Sequence, residues 1–362
     1  MALITNEQRP VNGDLPGGGR PAGVRTRVLV TGASGFVGSN LCAHLAGRPG
    51  VAVTAMVRPT SSLGFLAGTP ARIVEGELDD ALSLERVMAG AAIVYHVAGL
   101  ASDWGPWSAF RAANVDGVRA VIAAARRSGV QRIVHVSSVS AYGFPGGRDI
   151  DEGQAFVPRP GDPYVTSKAE GDRLAMAAHG RGIETVVIRP GGIYGRRDRV
   201  TTLPFARALI RRRFAFVDGG RHLTAPIHID NLVGLMRLAG EEPLAAGHAF
   251  NAVDDGAVTW RQFVLWFCEA LGCPPPRLSV PAALARPIAH MAEGAARLAG
   301  ARSSPPINRY RLRAVMQDNH YSAGKAKRML GWVPTVATRD GISDAARWYR
   351  GLADTEGRRG TP

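Results

Sequence analysis

Tyr164 and Lys168 stand four residues apart in Pro163-Tyr164-Val165-Thr166-Ser167-Lys168, so a helix puts both on one face. The chain has 44 basic residues, yet Lys168, Lys325 and Lys327 are its only lysines. A free tyrosine keeps its proton to about pH 10. A cation alongside favours the phenolate, so the spacing predicts a phenol that gives or takes a proton near neutrality. The same spacing recurs at Tyr321 and Lys325. That second pair has no companions upstream and reads as the start of a surface helix. The first pair has two. Arg132 to Val136 reads as a buried strand running into Ser137-Ser138, and a glycine-rich loop lies further upstream.

That loop is Thr31-Gly32-Ala33-Ser34-Gly35-Phe36-Val37-Gly38, between the apolar run Val28-Leu29-Val30 and a helix with Val37, Leu41 and Leu45 at four-residue spacing. Glycines at 32, 35 and 38 permit a tight turn and close approach of backbone to a pyrophosphate, and the helix N-terminus faces its charge. Adenosine selection falls at the end of the second strand, where an acidic residue would bind both ribose hydroxyls of NAD. This chain has Arg58 followed by Pro59-Thr60-Ser61-Ser62. Arginine with nearby hydroxyls suits a 2′-phosphate, so NADP(H) is expected over NAD(H).

These residues need a scaffold. Apolar strands are predicted at Val28–Val30, Val51–Val57, Arg72–Val74, Ala92–Val97, Arg132–Val136 and Thr185–Ile188, with helices between them. One long helix carries Val115, Val118, Val121 and Ile122. Nearly continuous apolar strands alternating with helices mean an α/β, doubly wound parallel sheet covered on both faces. Ligands then bind outside the carboxyl ends of the strands. The Gly32 loop, Arg58, Ala98-Gly99, Ser137-Ser138 and Arg189-Pro190 all fall there. After residue 190 the rhythm breaks. The stretch to about 222 reads as helical, Pro226–Ile229 as one more strand, and Asp230-Asn231 as a helix start. A short strand is expected near Phe250, then a helix at Thr259–Leu271 and several more from 273 to 351. The expected organisation is a tail at 1–26, a dinucleotide-binding domain at 27–190 and 223–250, a smaller, mostly helical substrate domain at 191–222 and 251–352, and a tail at 353–362.

Composition narrows the function classes. Hydrophobic content of 46% with 20% charged residues is ordinary for a globular enzyme. Cys42, Cys268 and Cys273 make no disulfide pattern and fit a reducing compartment, so a cytoplasmic location is expected and no metal site. A net charge of +14 raises nucleic acid as a partner, but the arginines are scattered, so none is expected. No 18-residue apolar stretch exists, and the N-terminal segment lacks the apolar core of a signal peptide. Pro281–Gly300 reads as an amphipathic helix covering a core or pocket, with at most peripheral membrane contact. The sequence leaves room for a homodimer.

Taken in order, several segments resemble the extended short-chain dehydrogenase/reductases, over roughly residues 27–350. They are Thr31–Gly38, Val94–Gly99, Asn114-Val115-Asp116-Gly117, Ser137-Ser138 with Tyr142-Gly143, Tyr164–Lys168 and Arg189–Gly195. The resemblance implies a Rossmann-type fold and a nicotinamide cofactor. It implies Tyr164 as acid/base, Lys168 on the ribose, and Ser138 holding the substrate oxygen, with Ser137 and Ser140 as alternatives. It implies Asn114 as a prop of the active-site helix and its water. It places Ala98, Gly99, Pro190 and Ile193 around the cofactor, with Glu77-Leu78 where the family usually has Asp-Leu against adenine.

Three sub-groups compete. Dehydratases carry an Asp-Glu pair after the catalytic threonine, whereas Ser138 is followed by Val139-Ser140. Nucleotide-sugar epimerases usually place arginine where Thr224 stands, four before His228. The third group resembles 3β-hydroxysteroid dehydrogenases and 2-alkyl-3-oxoalkanoate reductases, through His96–Gly99, Trp104-Gly105-Pro106-Trp107, Pro305–Tyr310 and Leu330–Pro334. Trp104 and Trp107 suit an apolar ligand or plain core packing. His228, Asp230 and His96 read as structural. The sequence therefore predicts hydride transfer between NADP(H) and the alcohol or ketone of an apolar substrate, with a nucleotide-sugar 4-epimerase using tightly bound NAD as the rival. A non-catalytic dinucleotide sensor is disfavoured, because Tyr164, Lys168 and the serine are all present.

Overall fold

The computed structural model describes residues 25–359. Seven parallel strands form the central sheet: β1 (Thr26–Thr31), β2 (Val51–Val57), β3 (Arg72–Glu75), β4 (Ile93–His96), β5 (Arg132–Val136), β6 (Glu184–Pro190) and β7 (Ala249–Ala252). Their order is β3-β2-β1-β4-β5-β6-β7, so the chain reverses direction across the sheet between β1 and β4. Loops part there, and a crevice opens at the carboxyl ends.

Successive side chains of a strand face opposite cores. In β1, Val28 and Val30 join a cluster with Leu41, Leu45, Leu232 and Met236. Leu29 joins the opposite one, with Leu84, Met88, Val118, Ile122 and Ala175. Helices Phe36–Ala46 and Ile229–Glu241 cover the first face, and Ala81–Met88, Gly117–Arg127 and Pro163–Ala178 the second. The fold is the α/β doubly wound sheet the apolar strands predicted.

Three local expectations change. The stretch 191–222 holds a single α-helix, Thr202–Ile210, because Gly192–Tyr194 and Phe216–Val217 pair as strands with Pro226–His228 and Ser279–Val280, far along the chain. Tyr321 is no surface helix start: it ends strand Asn319–Tyr321, is 3% exposed and stacks on Tyr142 at 5.6 Å, and the helix begins at Gly324. The predicted long helix is interrupted at Ala112–Asp116 by a π-helical turn, a feature often found at functional sites. At the ends, Thr26 already belongs to β1, residues 1–24 of the expected first tail fall outside the described residues, and the last helix runs Thr338–Arg359.

Candidate active site

The helix that carries Tyr164 starts where the sequence can start it. Asp162 is its N-cap, accepting from the Val165 N–H at 3.3 Å, and Pro163 opens the first turn. Tyr164, Lys168 and Asp172 then follow at four-residue spacing on one face. Asp172 anchors that face to the sheet through two 2.8 Å hydrogen bonds from the Arg189 guanidinium, both side chains buried.

The π-helical turn supplies the other prop. Asn114 accepts from the Leu100 N–H at 2.8 Å, donates to the Leu100 carbonyl at 3.0 Å, and donates to Ser167 Oγ at 3.0 Å. Its own carbonyl lies so close to Gly171 that a Cβ there would stand 2.3 Å away, so no larger residue lets the two helices meet. Asn114 thus locks the loop after β4 to the helix of Tyr164 and Lys168.

Lys168 is buried, and its Nζ donates to the Val136 carbonyl at 3.1 Å. A Cβ on Gly99 would be 3.6 Å from that Nζ and 2.9 Å from Asn114 Oδ1, which fixes the ammonium under the loop after β4. Burial pushes its pKa down to about 8, with the Asp172 charge opposing. Tyr164 is partly buried. Burial raises its pKa above the ordinary phenol value, a hydrogen bond with Ser138 lowers it, and the Asp162 charge raises it. The expectation that Lys168 depresses this pKa is therefore corrected. The ammonium is turned to Val136 and Gly99, and desolvation of the phenol dominates.

Ser138 Oγ accepts from the Ser140 N–H at 3.1 Å. Ser137 Oγ is buried without a hydrogen-bond partner. Ser137, Ser138, Ser140 and Tyr164 all line one cleft of about 1950 Å³. So do Gly32, Ser34, Gly35, Phe36, Val37, Gly38, Arg58, Glu77, Leu78, Ala98, Gly99, Pro190 and Ile193. Lys168 and Asn114 lie just behind it. Trp107 does not line it: the ring is 39% exposed and opens the short helix Trp107–Arg111. Trp104 lines an adjoining pocket of about 530 Å³ instead, its Nε1 donating to the Ala301 carbonyl at 2.9 Å. Neither tryptophan is in the wall of the main cleft itself.

The cleft fits a dinucleotide at one end. Helix Phe36–Ala46 has Gly35 as its N-cap and no side-chain cap, leaving its first N–H groups for an anion. A Cβ at Gly38 would stand 2.2 Å from the Gly32 carbonyl, so the helix can press on the loop only without a side chain. Arg58 is exposed at the rim, its N–H held by Ser61 Oγ at 3.2 Å. The other end is apolar. Phe205, Phe214, Phe216, Phe263 and Phe267 line it with Trp260; Phe205 packs edge to face on Phe214 and Phe267, Phe214 on Phe216, and Phe263 on Trp260.

Tyr310 joins the site unannounced. Its ring lies edge-on to Tyr164 at 5.6 Å, and its hydroxyl is 3.0 Å from Ser140 Oγ. It stands in the Pro305–Tyr310 segment, but no local spacing marks it as a neighbour of Tyr164. Asp172 was not singled out from the sequence either, although it continues the four-residue spacing of Tyr164 and Lys168. The suspected structural histidines are just that. His228 Nδ1 accepts from the Asp230 N–H at 3.3 Å as a helix cap. His96 is held by Thr31 Oγ1 at 2.9 Å, stacks on His135, and is kept neutral by burial, its pKa down to about 3.

Residues 28–252 match the NAD dependent epimerase/dehydratase family. The 4-hydroxy-2-methyl-3-oxo-4-farnesyl-3,4-dihydroquinoline-1-oxide ketoreductase of Stigmatella aurantiaca is 33% identical over 89% of this chain and 96% of its own. Sterol demethylase protein B of Methylococcus capsulatus is 30% identical, over 89% and 98%. The 2-alkyl-3-oxoalkanoate reductase of Stenotrophomonas maltophilia is 28% identical, over 87% and 97%. The crystal structure of gox2253 superposes with a TM-score of 0.77 at 27% identity, over 91% of this chain and 99% of that one. With an uncapped glycine loop, a Tyr-Lys helix and relatives that are dehydrogenases and reductases, this oxidoreductase belongs to the NAD dependent epimerase/dehydratase family, in its branch of 3β-hydroxysteroid dehydrogenase-like and 2-alkyl-3-oxoalkanoate reductase-like proteins.

Proposed function

We propose that the protein reduces the ketone of an apolar substrate, of the sterol or long-chain β-keto type, with NADPH. The observation that carries this is the pairing of Ser138 and Tyr164 at the junction between a dinucleotide cradle and an aromatic-walled cavity. Pro190 and Ile193 would hold the nicotinamide end of the dinucleotide, which when bound would supply the hydride. Ser138 donates a hydrogen bond to the carbonyl oxygen and orients it. Tyr164 gives its proton to that oxygen as the carbon becomes tetrahedral. Burial keeps the phenol protonated at neutral pH, which suits the reductive direction. Lys168, its ammonium set under Gly99, holds the nicotinamide ribose. Asn114 keeps that face of the helix in place.

Two features support the finer reading. Arg58 and Ser61, where NAD enzymes carry an acid, suit a 2′-phosphate. Phenylalanines at the far end, with Thr224 in place of an anchoring arginine, suit an apolar ligand better than a diphosphate. The related ketoreductase is named for a farnesylated quinoline oxide, and another relative for sterols. The test follows cofactor absorbance with NADPH and a panel of sterol ketones, long-chain β-keto compounds and UDP- or dTDP-sugars. Oxidation of NADPH by the apolar ketones is expected. Turnover of a nucleotide sugar without any turnover of apolar ketones would replace this reading with the epimerase.

A further inference from the structure

Helix Trp260–Leu271 ends in a cap that brings two cysteines together. Gly272 follows the helix in the left-handed region, at φ 69°. Its N–H donates to the Glu269 carbonyl at 3.1 Å, and the Cys273 N–H donates to the Cys268 carbonyl at 3.0 Å. This pair of bonds folds the chain back over the last turn, a geometry that lays the residue after the glycine against the one five positions earlier. Both are cysteine here. On an unbroken helix the same two would point about 140° apart, so their spacing alone brings no thiols together.

The thiols hydrogen-bond to each other. Cys268 is 2% exposed, inside the cluster of Phe216, Phe263 and Phe267, whereas Cys273 is half-buried at the edge of that cluster. Burial pushes the Cys268 thiol up to about 12, so the outer thiol is the one an oxidant meets. Cys42 is fully buried in a different cluster, among Leu41 and Leu45, and takes no part. The pair sits behind the aromatic end of the cleft. Phe267, next to Cys268, lines that cleft, and so does Val280 of strand Ser279–Val280. Residues 273–278 join the helix to the strand, so a bond between the thiols ties one wall element to the segment leading into the other.

We propose that Cys268 and Cys273 are a redox modification site: a hydroperoxide closes them to a reversible disulfide that clamps the segment leading into strand Ser279–Val280 to the helix of Phe263 and Phe267. The Cys273 sulfur attacks the peroxide, the O–O bond breaks, and a sulfenic acid forms as one water leaves. The Cys268 sulfur then attacks Cys273, the S–O bond breaks, and a second water carries off the Cys268 proton as the S–S bond forms. The peroxide gains the two electrons that the thiols lose. In a reducing compartment such a bond is transient and signals oxidant. The test needs neither cofactor nor substrate, so it stands apart from the proposed reduction. The reduced full chain is treated with hydrogen peroxide and its free thiols are alkylated in denaturant. The tryptic peptide 262–277, bounded by Arg261 and Arg277, carries both cysteines and is read by mass spectrometry. It should be two hydrogens lighter and free of alkyl groups, and dithiothreitol should restore both alkylation sites. Cys42 should stay alkylated throughout. Amide exchange over residues 277–280 should slow at least about threefold on oxidation and recover on reduction. In Cys268→Ser, Cys273 should stop at the sulfenic acid, trapped by dimedone. Two alkylated thiols in the wild-type peptide after peroxide would overturn the proposal, as would disulfide-linked dimers or a sulfinic acid at Cys273 beside a free Cys268. Unchanged exchange in the oxidised chain would sink the clamp.

Discussion

The two ends of the cleft are held in different ways. The cofactor end rests on backbone and on buried, paired polar groups: the loop Gly32–Gly38, Asn114 clamped to Leu100 and Ser167, and Asp172 chelated by Arg189. The substrate end rests on aromatic rings gathered from Phe205 to Phe267, with Tyr310 arriving from later still. Backbone loops and paired charges tolerate little change, because their geometry is the function. Apolar walls tolerate rearrangement as long as volume is kept. A fixed end beside an adaptable one allows one scaffold to take different ligands.

The largest effect should come at the seam. Tyr164→Phe removes the proton donor and keeps the ring, so cofactor binding and melting temperature should survive while turnover falls by roughly two to four orders of magnitude. Tyr321→Phe, whose hydroxyl reaches only Val139 O at 3.5 Å, should be close to silent. Retention of more than a tenth of the activity by the Tyr164 variant would remove the phenol from the chemistry.

Next comes rigidity. Asp172→Asn leaves the Arg189 charge buried without its partner, at a cost of about 3–5 kcal/mol in denaturant unfolding. The exposed Lys327–Asp255 pair, in contact with solvent, should contribute at most about 1 kcal/mol when Asp255→Ala breaks it. Equal losses would erase the contrast between buried and solvated pairs.

Lys168 offers a pH test. Its folded pKa, about 8, lies below the value of about 10.4 for a free lysine. Between the two the unfolded chain binds the extra proton, so stability rises with pH across that window. Below pH 8 the buried charge costs on the order of 3 kcal/mol. Cofactor-free melts from pH 7 to 10.5 should show the wild type gaining on Lys168→Met. A pH-independent difference would mean that the ammonium is better solvated than its burial implies.

The smallest effect concerns the rim. Arg58→Ala should cut the preference for NADPH over NADH by about ten- to a hundredfold, the worth of one charge-assisted contact. Equal affinities in the unaltered protein would assign Arg58 to solvent.

What the sequence alone determined is the part that short-range rules govern. Strand periodicity placed the sheet, the glycine spacing placed the phosphate loop, and four-residue spacing put Tyr164 and Lys168 on one face. Those features depend on residues near one another in the chain and on hydrogen-bond geometry common to all chains. The tertiary structure decided the rest. Phe216–Val217 became a strand because Ser279–Val280 lay beside it, and Tyr310 reached Tyr164 across more than a hundred residues. The Tyr164 pKa went up rather than down because desolvation and the aim of the lysine were set by packing, which spacing along a helix does not contain.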